Sequence, residues 1–112
     1  MKKVQAIIRP QKMQDVKKAL TDAGVSGMTV REVSGHGKQK GFVQQYRAAA
    51  NLVTLLPKVE IEVVVNDDEV EHVIQAISDA ARTGEPGDGK IFVVDVQTIV
   101  RIRTGERDGA AV

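Results

Sequence analysis

Apolar and polar residues change their spacing along this chain twice, each time in the same order. Residues 3 to 9, KVQAIIR, set Val4, Ala6 and Ile8 on one side at a period of two, which predicts a strand with one buried face. Pro10 stops that strand and can occupy the first position of a helix. In KMQDVKKALTDAG the apolar positions Met13, Val16, Ala19, Leu20 and Ala23 keep helical spacing, and Gly24 supplies the stop. MTVREVSG alternates imperfectly and predicts a second strand.

The same order returns from residue 58. KVEIEVVVN turns Val59, Ile61, Val63 and Val65 inward and Glu60 and Glu62 outward. Asn66 and Glu69 have the spacing of a capping box, and Val70, Val73, Ile74, Ile77, Ala80 and Ala81 mark an amphipathic helix that Gly84 should end. KIFVVDVQTIVRIR reads as one further strand. The pattern is β-α-β twice over, an α+β, ferredoxin-like βαββαβ sandwich with two helices on one face of an antiparallel sheet. Residues 34 to 57 form a connection between strands two and three that is far longer than the usual ~4–6 residues. Folding does not require it, so it is either a tolerated excursion or a functional segment.

Composition narrows the function. The chain has 112 residues and 42% apolar content, enough for a single domain spanning 1–112. Aromatics are only 3%, which removes the stacking surfaces of single-strand binders and argues against nucleic acid. A net charge of +1 means that any anion site must come from local arrangement. There is no cysteine, hence no disulfide framework or thiolate metal site, and MKKVQAIIRP is too short an apolar run for a signal peptide or a span. The expectation is a cytoplasmic protein.

Three stretches could hold an anion. No acidic residue lies between Glu32 and Glu60, while Lys38, Lys40, Arg47 and Lys58 do, and GHGKQKG brackets its lysines with Gly35, Gly37 and Gly41. TGEPGDGK, residues 83 to 90, matches the spacing of a phosphate loop, but Ile91 follows the lysine where Ser or Thr should hold magnesium, and the stretch runs from helix to strand. What survives is a glycine bend at Gly87 and Gly89 beside Lys90, either an anion cradle or a plain turn. Arg101 and Arg103 in RIR fall on one face of an extended chain, a polyphosphate clamp or a solvated pair. Enzyme chemistry lacks a carrier: His36 and His72 are the only histidines, with no cysteine nucleophile, and the NDDEVE acids suit a helix start.

GHGKQKG, LPKVEIEVVV, ARTGEPGDGKIFV and VRIRTGE together closely resemble the PII nitrogen-regulatory signal-transduction proteins over essentially the whole chain. Thr83, Gly87, Asp88, Gly89, Lys90, Ile91 and Phe92 match that family's signature. The resemblance implies a homotrimer that binds ATP or ADP in the clefts between subunits, takes 2-oxoglutarate beside magnesium-ATP, and regulates target proteins of nitrogen metabolism through the long loop, about residues 37–55. It implies no enzymatic activity. On this likeness Thr29, Gly35, Gly37, Lys38, Gln39, Glu62, Val64, Gly87, Asp88, Gly89, Lys90, Arg101 and Arg103 bind the nucleotide, Thr29, Glu62 and Val64 near adenine and the arginines from a neighbouring subunit. Arg9, Gly37, Gln39, Lys40, Gly41, Lys58 and Gly87 take 2-oxoglutarate, and Gln39 helps hold magnesium. Arg9 stands where the family usually has lysine, and Lys38 where it has arginine, which alters donor geometry at both.

The loop departs further. Where relatives carry YRGAEY, whose last tyrosine receives a nucleotidyl group, this chain has YRAAAN, with Asn51 in that place, and Ala49 stands where some relatives phosphorylate a serine. The expectation is signalling by ligand occupancy without covalent modification. Tyr46, Arg47, Ala48 and Asn51 would face partners. Arg47 keeps an ammonium transporter among them, which would recruit the protein to the membrane, while Ala48 in place of glycine restricts the loop beside it. AAANLVTLL is either buried against the trimer or a partner-facing patch. Two competing readings remain: an adaptor that binds adenine nucleotide without sensing 2-oxoglutarate, and a slow ATPase.

Overall fold

The computed structural model describes residues 1–37 and 55–112. Four strands, β1 (Lys2–Ile8), β2 (Thr29–Gly35), β3 (Leu56–Val65) and β4 (Lys90–Asp95), form one sheet in the order β2-β3-β1-β4. Every neighbouring pair is antiparallel. Helices α1 (Met13–Asp22) and α2 (Val70–Ala81) complete the βαββαβ order. Each helix carries its strand across a neighbour, β1 to β2 over β3 and β3 to β4 over β1, the split β-α-β arrangement of ferredoxin-like folds.

The period-two reading of the central strands holds residue by residue. Val4, Ala6 and Ile8 of β1 and Val59, Ile61, Val63 and Val65 of β3 are buried, and they form one cluster with Val16 and Leu20 of α1 and Val73, Ile77 and Ala81 of α2. Each of these larger aliphatic side chains contributes about 1.5–3 kcal/mol by leaving water. Pro10 opens a short 3-10 turn, Pro10–Lys12, that leads into α1, as its fixed φ allows. Gly24 follows α1 at φ +89, a conformation that suits glycine and ends the helix.

Three sequence expectations are corrected. The capping box does not form: Asn66 makes no side-chain capping bond, and residues Asp67–Glu69 make a 3-10 turn in which the Glu69 N–H donates to the Asn66 carbonyl at 3.0 Å. The turn uses up the spacing the box needs, and Asp67 pairs instead with the Met1 amino group at 2.6 Å. Gly84 does not end α2 either, because Arg82 is already extended at φ −69, ψ 130, and Gly84 turns the chain afterwards. The last strand is also shorter than its β-branched run implies. After Asp95 the chain leaves the sheet, Val100 bridges Arg107, and Arg101 to Thr104 turn back. Gly105, at φ +73, closes that turn by donating its N–H to the Arg101 carbonyl at 2.8 Å. Arg101 and Arg103 therefore do not share one face of an extended strand, and Ile102 stands 99% exposed between them.

Candidate functional site

Antiparallel pairing gathers four chain ends at one end of the sheet. Ile7 of β1 lies opposite Lys90 of β4, Ile8 opposite Val59, and Gly35 of β2 opposite Leu56 of β3. There a cleft of about 580 Å³ is lined by Ile7, by Gly35, His36 and Gly37, by Leu56 and Lys58, and by Glu85 to Lys90 with Phe92. Two stretches that the sequence marks separately as anion cradles, the glycines after β2 and the 83–90 turn, thus face the same space.

The turn is held from within and from below. The Asp88 carboxylate accepts the backbone N–H of Thr83 at 2.8 Å and of Gly84 at 2.9 Å, as well as the Thr83 hydroxyl. Arg9, just beyond β1, donates from Nε to Asp88 at 3.2 Å and from Nη2 to the Pro86 carbonyl at 2.7 Å. Lys58 Nζ donates to the Gly87 carbonyl at 2.7 Å. Gly87 and Gly89 lie at φ +104 and +100, where only glycine is unstrained. Gly89 also presses on β1: a Cβ there would stand 1.7 Å from the Ile7 carbonyl oxygen.

These contacts set the charges. The Thr83 hydroxyl, then the two backbone N–H groups and Arg9, hold the Asp88 carboxyl far below the usual carboxylate range, against the opposing effect of burial. Burial and then the neighbouring Arg9 push the Lys58 ammonium down, while Asp88 pulls it back up. Lys90 is exposed at the entrance of β4, a compact charge at the rim.

A second cleft, about 710 Å³, contains Thr29, Glu62, Val64 and Arg101 and shares no lining residue with the first. Glu62 is already engaged: Arg31 donates from Nη1 and Nη2 at 2.8 and 3.3 Å, and Gln5 donates from Nε2 at 2.9 Å. Arg31 foremost keeps the Glu62 carboxyl below its ordinary value. Arg101 is tied to Glu106 at 3.2 Å.

Residues 1–106 match the family described as Nitrogen regulatory protein P-II. The chain belongs to the PII family. It is 53% identical to the nitrogen regulatory protein P-II of Pasteurella multocida (strain Pm70), 54% identical to that of Klebsiella oxytoca, and 54% identical to nitrogen regulatory protein P-II 1 of Escherichia coli (strain K12), in each case over all of both chains. A PII chain is a regulator in nitrogen signalling, and the two-helix, antiparallel α+β domain fits that family's ferredoxin-like fold.

Of the residues that the PII resemblance marks, the fold brings Gly35, Gly37, Lys58, Gly87, Asp88, Gly89 and Lys90 to the first cleft, and Thr29, Glu62, Val64 and Arg101 to the second. Arg9 lines neither but reaches the turn, and Arg103 lies exposed in the 102–104 turn. Lys38, Gln39, Lys40, Gly41, Tyr46, Arg47, Ala48, Ala49 and Asn51 lie outside the described residues, as does most of AAANLVTLL. Sequence reading missed Gln5, Arg31 and Thr83 as partners of Glu62 and Asp88. The first two had a usable signal, since β3 pairs with both β1 and β2 and sets Gln5 and Thr29 opposite Glu62 and Arg31 opposite Glu60. No helix among the described residues is long and apolar enough to cross a membrane.

Proposed function

We propose that this PII chain works as a homotrimer that senses ATP or ADP together with 2-oxoglutarate and regulates target proteins through residues 37–55, without catalysing a reaction. The observation that carries the reading is the division of the nucleotide residues between two separate clefts of one chain. Each cleft then supplies half of a site, with the glycine turn and Lys90 of one protomer on the phosphates, Thr29, Glu62 and Val64 near the adenine, and Arg101 and Arg103 reaching in from the neighbouring subunit. Gly35 and Gly37 lie at the phosphate side, with Lys38 and Gln39 following them in sequence. Magnesium would be carried mainly by the nucleotide's own phosphate oxygens, with Gln39 as its protein ligand.

Lys58 and Arg9 are the cations beside the turn, and they supply the charge for a 2-oxoglutarate carboxylate, with Gly37, Lys40, Gly41 and Gly87 offering backbone groups. Sharing Gly37 between effector site and loop gives a physical route for the ~1–3 kcal/mol of coupling that a sensor needs. Tyr46, Arg47, Ala48 and Asn51 face partners, an ammonium transporter among them, and a cytoplasmic protein would reach the membrane by that docking.

Calorimetry tests the reading. ATP and ADP should each bind the intact protein, and 2-oxoglutarate should release heat only with magnesium-ATP present, a heat lost in Lys58→Ala and in Gln39→Ala. Sedimentation should give the mass of three chains. A monomer, or a protein that ignores both nucleotides, overturns the proposal; nucleotide binding without a 2-oxoglutarate heat replaces it with the adaptor reading, and steady phosphate release from ATP with the ATPase.

A further inference from the structure

Two features of the 83–90 turn are not explained by ligand contacts. Asp88 stands in an anion cradle although its carboxylate would repel phosphate, and its oxygens are taken by the Thr83 and Gly84 N–H groups, the Thr83 hydroxyl and Arg9. The carbonyls of Pro86 and Gly87, the two peptides leading into the bend, are both occupied by cations, Arg9 and Lys58.

The second feature has a geometric result. No peptide among the described residues is cis, and in a planar trans peptide the C=O and N–H point in opposite directions. Drawing the Pro86 carbonyl toward Arg9 aims the Gly87 N–H away from Arg9. Drawing the Gly87 carbonyl toward Lys58 does the same for the Asp88 N–H. The Gly87 N–H has no partner among the described residues, while the Asp88 N–H turns back toward the Glu85 carbonyl across the Pro86–Gly87 turn. An unpaired N–H in a bend of positive-φ glycines is a donor of the kind that concave anion sites use.

We infer that Asp88 and Arg9 are positioning residues: the Asp88 side chain staples the turn closed, and Arg9 fastens staple and Pro86 carbonyl to the end of β1, so that the glycine bend, with the Gly87 amide free, is preset for phosphate. The inference deepens the nucleotide reading and rests on it for its ligand. Arg9 uses two of its five N–H donors in this role, which leaves the others for an effector carboxylate. Presetting matters because amides already aimed at the charge need not be ordered when it arrives.

The test compares the intact parent protein with Asp88→Asn, Arg9→Gln, Arg9→Lys and the Asp88→Asn/Arg9→Gln double variant. ADP and adenosine are titrated into each by calorimetry, and amide exchange at Thr83 and Gly84 is followed by NMR without ligand. In Asp88→Asn, ADP affinity should fall by about tenfold or more, the loss expected for a charge-assisted bond, while adenosine changes by less than about twofold. Arg9→Gln should act in the same direction, and the double variant should be little worse than either single one. Thr83 and Gly84 amides should exchange faster in Asp88→Asn.

ADP affinity that is unchanged or tighter in Asp88→Asn overturns the inference, because that is the outcome for a carboxylate facing the phosphates. If the parent binds no ADP, the nucleotide reading fails, and exchange at Thr83 and Gly84 still decides whether Asp88 staples the turn: equal rates in parent and variant refute it. Should Asp88→Asn not fold, Arg9→Lys keeps the charge but loses the two-point fork and carries the same comparison.

Discussion

Gly89→Ala should be the most damaging single glycine change among the described positions. A Cβ at residue 89 would lie 1.7 Å from the Ile7 carbonyl oxygen and 2.7 Å from the Ile7 carbonyl carbon, where ordinary contact begins at 3.4 Å. The obstacle is backbone in the central strand, so no side chain can swing aside. Relief requires the turn to lift by more than about 1.5 Å, which parts Ile7 from Lys90 at the first rung of the β1–β4 ladder. Overpacking of this kind costs about 1–3 kcal/mol, and an alanine at φ +100 adds about 1–2 kcal/mol. A total of about 2–5 kcal/mol is a large share of the ~5–15 kcal/mol by which a domain is stable.

Gly84 and Gly109 separate the two contributions. Gly84 shares the positive φ, at +89, with nothing within 4 Å of the added carbon, and Gly109 has open space and no positive φ. Urea denaturation at one protein concentration, which holds any linkage to assembly fixed, should rank the costs Gly89→Ala above Gly84→Ala above Gly109→Ala, the last within about 0.5 kcal/mol of the parent. If Gly89→Ala lies within about 0.5 kcal/mol of Gly84→Ala, the close seating of the turn on β1 is wrong.

Leu20 of α1, fully buried in the core cluster that α1 shares with the sheet and α2, should cost about 2–5 kcal/mol as Leu20→Ala in the same assay; a loss under about 1 kcal/mol would mean that the core is not packed as described. Followed by Cε chemical shifts in an alkaline NMR titration, Lys58 should lose its proton before Lys18, because burial and Arg9 lower the first while the hydrogen bond to Asp22 raises the second; the reverse order contradicts the site's electrostatics. Asp88 has a depressed carboxyl in the folded chain, so its contribution to stability is present above the ordinary value of 3.8 and is lost as pH falls below it toward the folded value. Thermal unfolding between about pH 5 and 2 should therefore fall less steeply for Asp88→Asn than for the parent, and parallel curves would count against the Thr83–Asp88–Arg9 contacts.

Periodicity revealed the elements whose faces are fully one-sided. Val4, Ala6 and Ile8, or Val59 to Val65, alternate because one face of those strands meets helices and the other does not, and such a pattern survives in sequence. β2 was harder to read because it lies at an edge where even Val30 is 41% exposed. At the other edge, Phe92, Val93 and Val94 are all at least 41% exposed, so β-branched residues there did not report where the sheet stops. The length of KIFVVDVQTIVRIR reflects propensity, whereas Gly105 and the Val100–Arg107 bridge decide its path. At the site, glycine and lysine positions were legible because their chemistry is local. The Asp88–Arg9 contact was not, since it joins residues 79 positions apart, and only the register of β1 against β4 brings them together.

That register also orders events during synthesis. β1 leaves the ribosome before β2, β3 and β4 but occupies the middle of the sheet, and one of its two flanks is filled only by residues 90–95. A nascent chain that ends before Lys90 carries a central strand with a bare edge beside its apolar face. Pairing so distant in sequence slows folding and leaves sticky intermediates. Residues 90–95 are thus what renders the earlier strands safe from clumping, and chains released before them are natural clients for chaperones or proteases.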